Sequence, residues 1–157
     1  MPTMTIDVDS TQVRAMLRAA PAKVNSRLVR TLNIGAIQTQ RELRIAAQVG
    51  VTGDLRKSVK YAVDEQALTA EIGPTAKHAN PVEFGSRPHW VSVAQGSPLR
   101  DWADAKGINP YAVQRSIAKK GTKPNPFVKP TYTLMEPRIS RLFDNEIEAL
   151  TKELNNG

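Results

Sequence analysis

Residues 22–48, AKVNSRLVRTLNIGAIQTQRELRIAAQ, decide how the chain folds. Wound at about 100° per residue, they form one long helix with two unlike faces. Val24, Leu28, Leu32, Ala36, Leu43 and Ala46 gather on one face, which must cover a sheet. Lys23, Arg27, Arg30, Arg41 and Arg44 gather on the opposite face as a basic strip. Ile34, Ile37 and Ile45 sit among those cations, where a monomer gains nothing from them. A neighbouring subunit or partner would gain roughly 1.5–3 kcal/mol for each isoleucine fully buried. The three are therefore read as an oligomer or partner interface.

Working outward from the helix, Thr5–Asp9 alternates apolar and polar residues as a short first strand would. Ser10 is placed to cap a helix reaching about Ala20, and Pro21 restarts the chain into the long helix. Gly50–Asp54 reads as a loop. Val59–Asp64 and Leu68–Ile72 read as a hairpin about Glu65-Gln66. Three further helix starts share one device, an N-cap side chain followed by proline: Asn80-Pro81, Ser97-Pro98 and Asn109-Pro110. Gly85, Gly107 and Gly121 stop those helices. A proline-rich linker, Lys123–Pro130, leads to a final helix from about Pro130 to Leu154, with a kink expected at Pro137. In that linker Phe127 is the large apolar side chain, so it should anchor the segment in its own domain or in a neighbouring subunit. The fold class is α+β: a small antiparallel sheet packed on a long N-terminal helix, with a helical-hairpin insertion at about 97–120 and a C-terminal helix. All 157 residues are read as a single domain.

Composition narrows the function classes. At 40% hydrophobic and 24% charged, the chain is globular in type. No apolar run reaches the roughly 18 residues of a membrane span. With no cysteine, neither disulfides nor thiolate metal sites hold the fold, and folding in the cytosol is expected. The net charge of +7 is unevenly placed: residues 10–60 carry ten basic and two acidic side chains, and residues 97–130 carry seven and two. Such segments suit nucleic acid or acidic protein surfaces.

Catalytic patterns are sparse. His78 and His89 lie on loops without metal-ligand spacing, and neither a Gly-x-Ser-x-Gly elbow nor a glycine-rich phosphate loop occurs. No enzyme activity, metal or other cofactor is expected. One DNA-binding alternative stands beside this. Leu99–Ala118 reads as two helices about Gly107, with Ala103, Gly107 and Val113 at helix-turn-helix offsets and Arg115, Lys119 and Lys120 placed for phosphates. A DNA-binding regulator would use this element.

Several segments taken in order resemble the minor tail-component, or neck and tail-completion, proteins of long-tailed bacteriophages. They are Thr52-Gly53-Asp54-Leu55-Arg56-Lys57-Ser58, Ile72-Gly73-Pro74, Val82-Glu83-Phe84-Gly85, and Gly121-Thr122-Lys123 leading to Pro126-Phe127-Val128-Lys129-Pro130. Within them Gly53, Leu55, Ser58, Glu83, Phe84, Gly85, Pro126 and Phe127 are the motif positions. Ser86 stands where the family usually has threonine, and Val128-Lys129 where it has Leu-Arg. The resemblance spans about residues 24–145, and Leu99–Lys120 matches the family variant with a tryptophan-containing helical insertion. It implies a structural virion protein forming a homo-oligomeric ring that joins head connector to tail. Its partners would be other neck, connector and tail proteins, with non-specific contact to DNA in the lumen and none to membrane.

Overall fold

The computed structural model describes residues 2–156 apart from Asp9, Ser10, Ala20, Gln48, Val49 and Val51. Strands β1 (Met4–Asp7), β2 (Val59–Asp64) and β3 (Thr69–Pro74) form an antiparallel sheet in the order β1-β3-β2. Met4 pairs with Ile72 and Val59 with Pro74, which puts Met4, Ile6, Val59, Ala70 and Ile72 on one buried face. Thr5, Lys60, Ala62 and Glu71 point to solvent, the alternation expected of a sheet covered on one side.

β2 spans the predicted residues, whereas β3 begins one residue later and ends two residues later than alternation suggests. The late start has a local cause. Asp64 Oδ1 accepts the Gln66 and Ala67 N–H groups, both at 2.9 Å, and Leu68 closes the turn with φ 52°. Leu68 adopts that left-handed backbone while its side chain is buried in the core. The extension through Pro74 is possible because β1 pairs no further than Ile72, so no N–H is needed there. β1 ends at Asp7; the expected Ser10 cap, and the expected helix ends at Ala20 and Gln48, lie outside the described residues.

Helix α1 (Thr11–Ala19) supplies Val13 and Met16 to the core. Helix α2 (Pro21–Ala46) lies across the sheet with Val24, Leu28, Leu32, Ala36 and Leu43 at zero exposure. Ala46, expected on that face, is exposed. Ala47 is buried in its place, one turn beyond Leu43, whose carbonyl accepts its N–H at 2.9 Å.

Helix α7 (Val128–Asn155) lies antiparallel to α2, as the pairs Lys23–Glu153 and Arg138–Glu42 show. The two axes approach closely at Gly35, where a Cβ would stand 3.1 Å from Ile139 Cδ1 and 3.6 Å from Ile6 Cδ1. Met135, Ile139, Phe143 and Leu150 complete the core from α7, which continues through Pro137 without a break.

Further short helices flank this body. Gly53, at φ 66°, opens α3 (Asp54–Lys57), a short helix at the end of the stretch read as loop, and Leu55 drops into the core. Helix α4 (Ala79–Phe84) starts one residue before Asn80, with His78 at its N-cap. Asn80 is therefore not a cap. Pro81 still costs little, since the first turn of a helix leaves its N–H groups without helical partners. Helices α5 (Pro98–Lys106) and α6 (Pro110–Lys120) form the insertion. Asn109 accepts the Tyr111 N–H at 3.0 Å as expected. Ser97 does not cap; its hydroxyl donates to the Ser92 carbonyl at 3.1 Å.

Candidate assembly interface

Two of the motif positions, Glu83 and Phe127, frame the start of the C-terminal helix. Glu83 is 4% exposed, and its carboxylate accepts three successive backbone N–H groups, from Phe127 (2.7 Å), Val128 (2.9 Å) and Lys129 (3.0 Å). A carboxylate there answers the unpaired donors and the partial positive charge at the start of a helix. This also explains why α7 begins at Val128 rather than Pro130. Phe127 is 3% exposed within the chain's own core, so it anchors the linker internally and is withdrawn from the partner-facing set. Ser58 donates to the Leu55 carbonyl at 2.7 Å and closes α3. Pro126 is exposed. Phe84 is exposed too, and it is a large apolar ring, 68% exposed.

The insertion is pinned where it leaves and rejoins the body. Ser86 and Thr122 form an antiparallel bridge, with N–H to carbonyl bonds of 3.1 Å in both directions and hydroxyls 2.9 Å apart. The glycines beside it are required. Gly85 has φ 75° and a Cβ there would lie 2.5 Å from the Thr122 oxygen; Gly121 has φ 74° and a Cβ would overlap the Ser86 oxygen. Within the insertion Ala103 is fully buried, Gly107 is left-handed, and Val113 is half-buried. Arg115, Lys119 and Lys120 are exposed. His89 Nδ1 donates to the Arg87 carbonyl at 2.8 Å. Among the described residues no cluster of His, Cys, Asp or Glu could hold a metal ion.

On α2, Ile34, Ile37 and Ile45 are 38%, 50% and 59% exposed. The basic strip beside them divides in two. Lys23 pairs with Glu153 at 2.6 Å, and Arg27 pairs with Glu146 at 2.6 Å and Glu153 at 3.3 Å. The Glu146 hydrogen bond, then its charge, raises Arg27 further above its ordinary value; the Lys23 hydrogen bond, then its charge, lowers Glu153. These two cations are engaged inside the chain, because α7 brings its acidic end beside them. Arg44 Nη2 donates to the Val59 carbonyl at 3.0 Å. Arg30 and Arg41 are exposed and have no acidic partner among the described residues. The surviving outer face is thus three isoleucines interleaved with Arg30 and Arg41.

Sequence reasoning placed those isoleucines but not the role of Glu83, whose donors lie 44 to 46 positions along the chain. A signal existed: a glutamate in an apolar-flanked turn, and a proline-rich helix entry lacking a capping side chain of its own. The exposure of Phe84 left no such trace.

Against this geometry, the family model described as "Bacteriophage HK97-gp10, putative tail-component" matches residues 7–85, from the last residue of β1 through the turn after α4. The chain belongs to this HK97-gp10-like family of phage tail components. Comparison with curated proteins and with solved structures finds no match. The HK97-gp10-like match covers α1, α2, the β2–β3 hairpin and the Glu83 turn, whereas most of β1, the insertion and α7 lie outside it. Family membership makes the chain a structural component of a bacteriophage virion and argues against an enzyme. No helix among the described residues is long and apolar enough to cross a membrane.

Proposed function

We propose that this tail component sits at the neck or tail-completion position, where copies assemble into a ring joining the head connector to the tail. The observation that carries the reading is the outer face of α2, on an HK97-gp10-like body: three exposed isoleucines flanked by Arg30 and Arg41, which have no acidic partner among the described residues. A monomer has no use for such a face, and a subunit contact would bury it. In this reading the whole chain acts as one domain, made in the host cytoplasm. It meets other neck, connector and tail proteins, and basic side chains line a lumen through which DNA passes. The DNA-binding regulator gains no support, since the family match describes a tail component and ends before the helical hairpin.

The test is a phage or prophage carrying the gene with an early stop codon. Full heads and tails that fail to join, rescued by the intact chain, support the neck position. Reversing Arg30 and Arg41 to Glu should lower particle yield while the purified chain still folds. Infectious particles lacking the protein would refute the reading.

A further inference from the structure

The two edges of the sheet are finished differently. At the β2 edge, Gln40 Nε2 and Arg44 Nη2, both from α2, donate to the Val59 carbonyl at 3.0 Å. The β1 edge has no such cover among the described residues. Val8 N–H bonds to the Leu68 carbonyl, which sets the ladder's phase. Thr5 and Asp7 therefore turn their backbone groups away from β3, because alternate residues of an antiparallel edge strand face outward.

Those residues border a groove between β1 and α7. Two connected hollows of ≈ 190 and ≈ 220 Å³ share Ile6, Asp7, Ile139 and Ser140. A third of ≈ 350 Å³ continues along α7 from Asp144 to Lys152. The first two are lined by acidic but no basic side chains: Asp7, Glu136 and Asp144. Asp7 and Asp144 are exposed, with no ion-pair partner among the described residues. Thr39, whose fully buried hydroxyl lacks a hydrogen-bond partner, lines the first hollow. Tyr132, Val8 and Ile147 give the groove an apolar wall.

We propose that this groove receives the outer face of α2 from a second copy of the chain. The inference rests on the assembly reading above and names the other half of its contact. Arg30 and Arg41 meet the carboxylates of Asp7 and Asp144, and Ile34, Ile37 and Ile45 pack on the apolar wall. The arginines also offer donors to the open β1 carbonyls, as Arg44 already does at the β2 edge of its own chain. Because donor face and receiving groove are different surfaces, the contact is head-to-tail. Such contacts propagate and close into a ring when the rotation permits.

The absence of native cysteine makes the test direct. Ile37→Cys and Ser140→Cys are both exposed substitutions that leave the core intact. The two single variants, tagged differently, are co-expressed with the other tail proteins, and purified particles are oxidised. A disulfide adduct between the two variants, exceeding either self-adduct, supports the contact. Adding Arg41→Glu to the first variant should cut that adduct at least about tenfold, and Asp144→Arg in the second should restore it. Self-adducts of the Ile37→Cys variant in the majority, or no adduct in particles that contain the protein, overturn the groove as the receiving site. Particles lacking the protein altogether would instead overturn the assembly reading beneath it.

Discussion

Replacing Glu83 by alanine tests the framework on which α7 is built. The substitution strands three N–H groups, two of them in buried surroundings at Phe127 and Val128. Each buried donor left unpaired costs roughly 1–3 kcal/mol, and the third, partly buried at Lys129, costs less because water can reach it. Part of this is returned, since a buried carboxylate no longer has to be desolvated. The net expectation is a loss of about 3 kcal/mol for Glu83→Ala, and about half that for Glu83→Gln, whose amide oxygen can still accept. For a chain of this length each kcal/mol lowers Tm by about 2–4 °C, so Glu83→Ala should melt about 6–12 °C lower. Urea unfolding gives the free energy, and hydrogen exchange at residues 127–131 locates the damage. A Glu83→Ala protein within about 1 kcal/mol of wild type, with unchanged protection at those amides, would refute the role assigned to this carboxylate.

Three further outcomes are expected. Phe127→Ala should cost about 3–5 kcal/mol, measured by the same unfolding, because it opens a cavity under the linker. Gly121→Ala forces a side chain onto the Ser86 oxygen at φ 74°; limited proteolysis should then cut within residues 87–120 faster, at a backbone cost of about 1–3 kcal/mol. The Glu153 carboxyl is lowered first by the Lys23 hydrogen bond. A lowered carboxylate stabilises the fold above the ordinary glutamate value of about 4.3 and loses that contribution as pH falls through its own value. Melting curves from pH 7 to pH 3 should show a smaller acid-side decline in Lys23→Met than in wild type, and equal declines would exclude the pair as a contributor.

How far the sequence carried this structure depended on the range of the interaction. Periodicity located α2, and alternation with the turn at Glu65-Gln66 located β2, since both rest on neighbours a few residues apart. The Asn109 cap was legible for the same reason. The Asn80 cap was not, because helix α4 takes its start from Ala79 packed against the core, a tertiary fact. The same holds for the divided basic strip: nothing in residues 23–27 announces that Glu146 and Glu153 will stand beside them. The exposed isoleucines were readable because a helix cannot turn two opposite faces to one core. The groove that would receive them was not, being assembled from β1, α2 and α7 at once.

The Ser86–Thr122 bridge has a consequence for how this body can change. Its backbones enter and leave the insertion side by side, joined directly to each other at the point of entry. Whatever is spliced between positions 87 and 121 therefore meets the same doorway. A shorter turn or a differently charged hairpin could be grafted there without repositioning Glu83 or the start of α7. The insertion is in this sense an exchangeable cassette, a place where a tail component can acquire a new neighbour while its core stays unaltered.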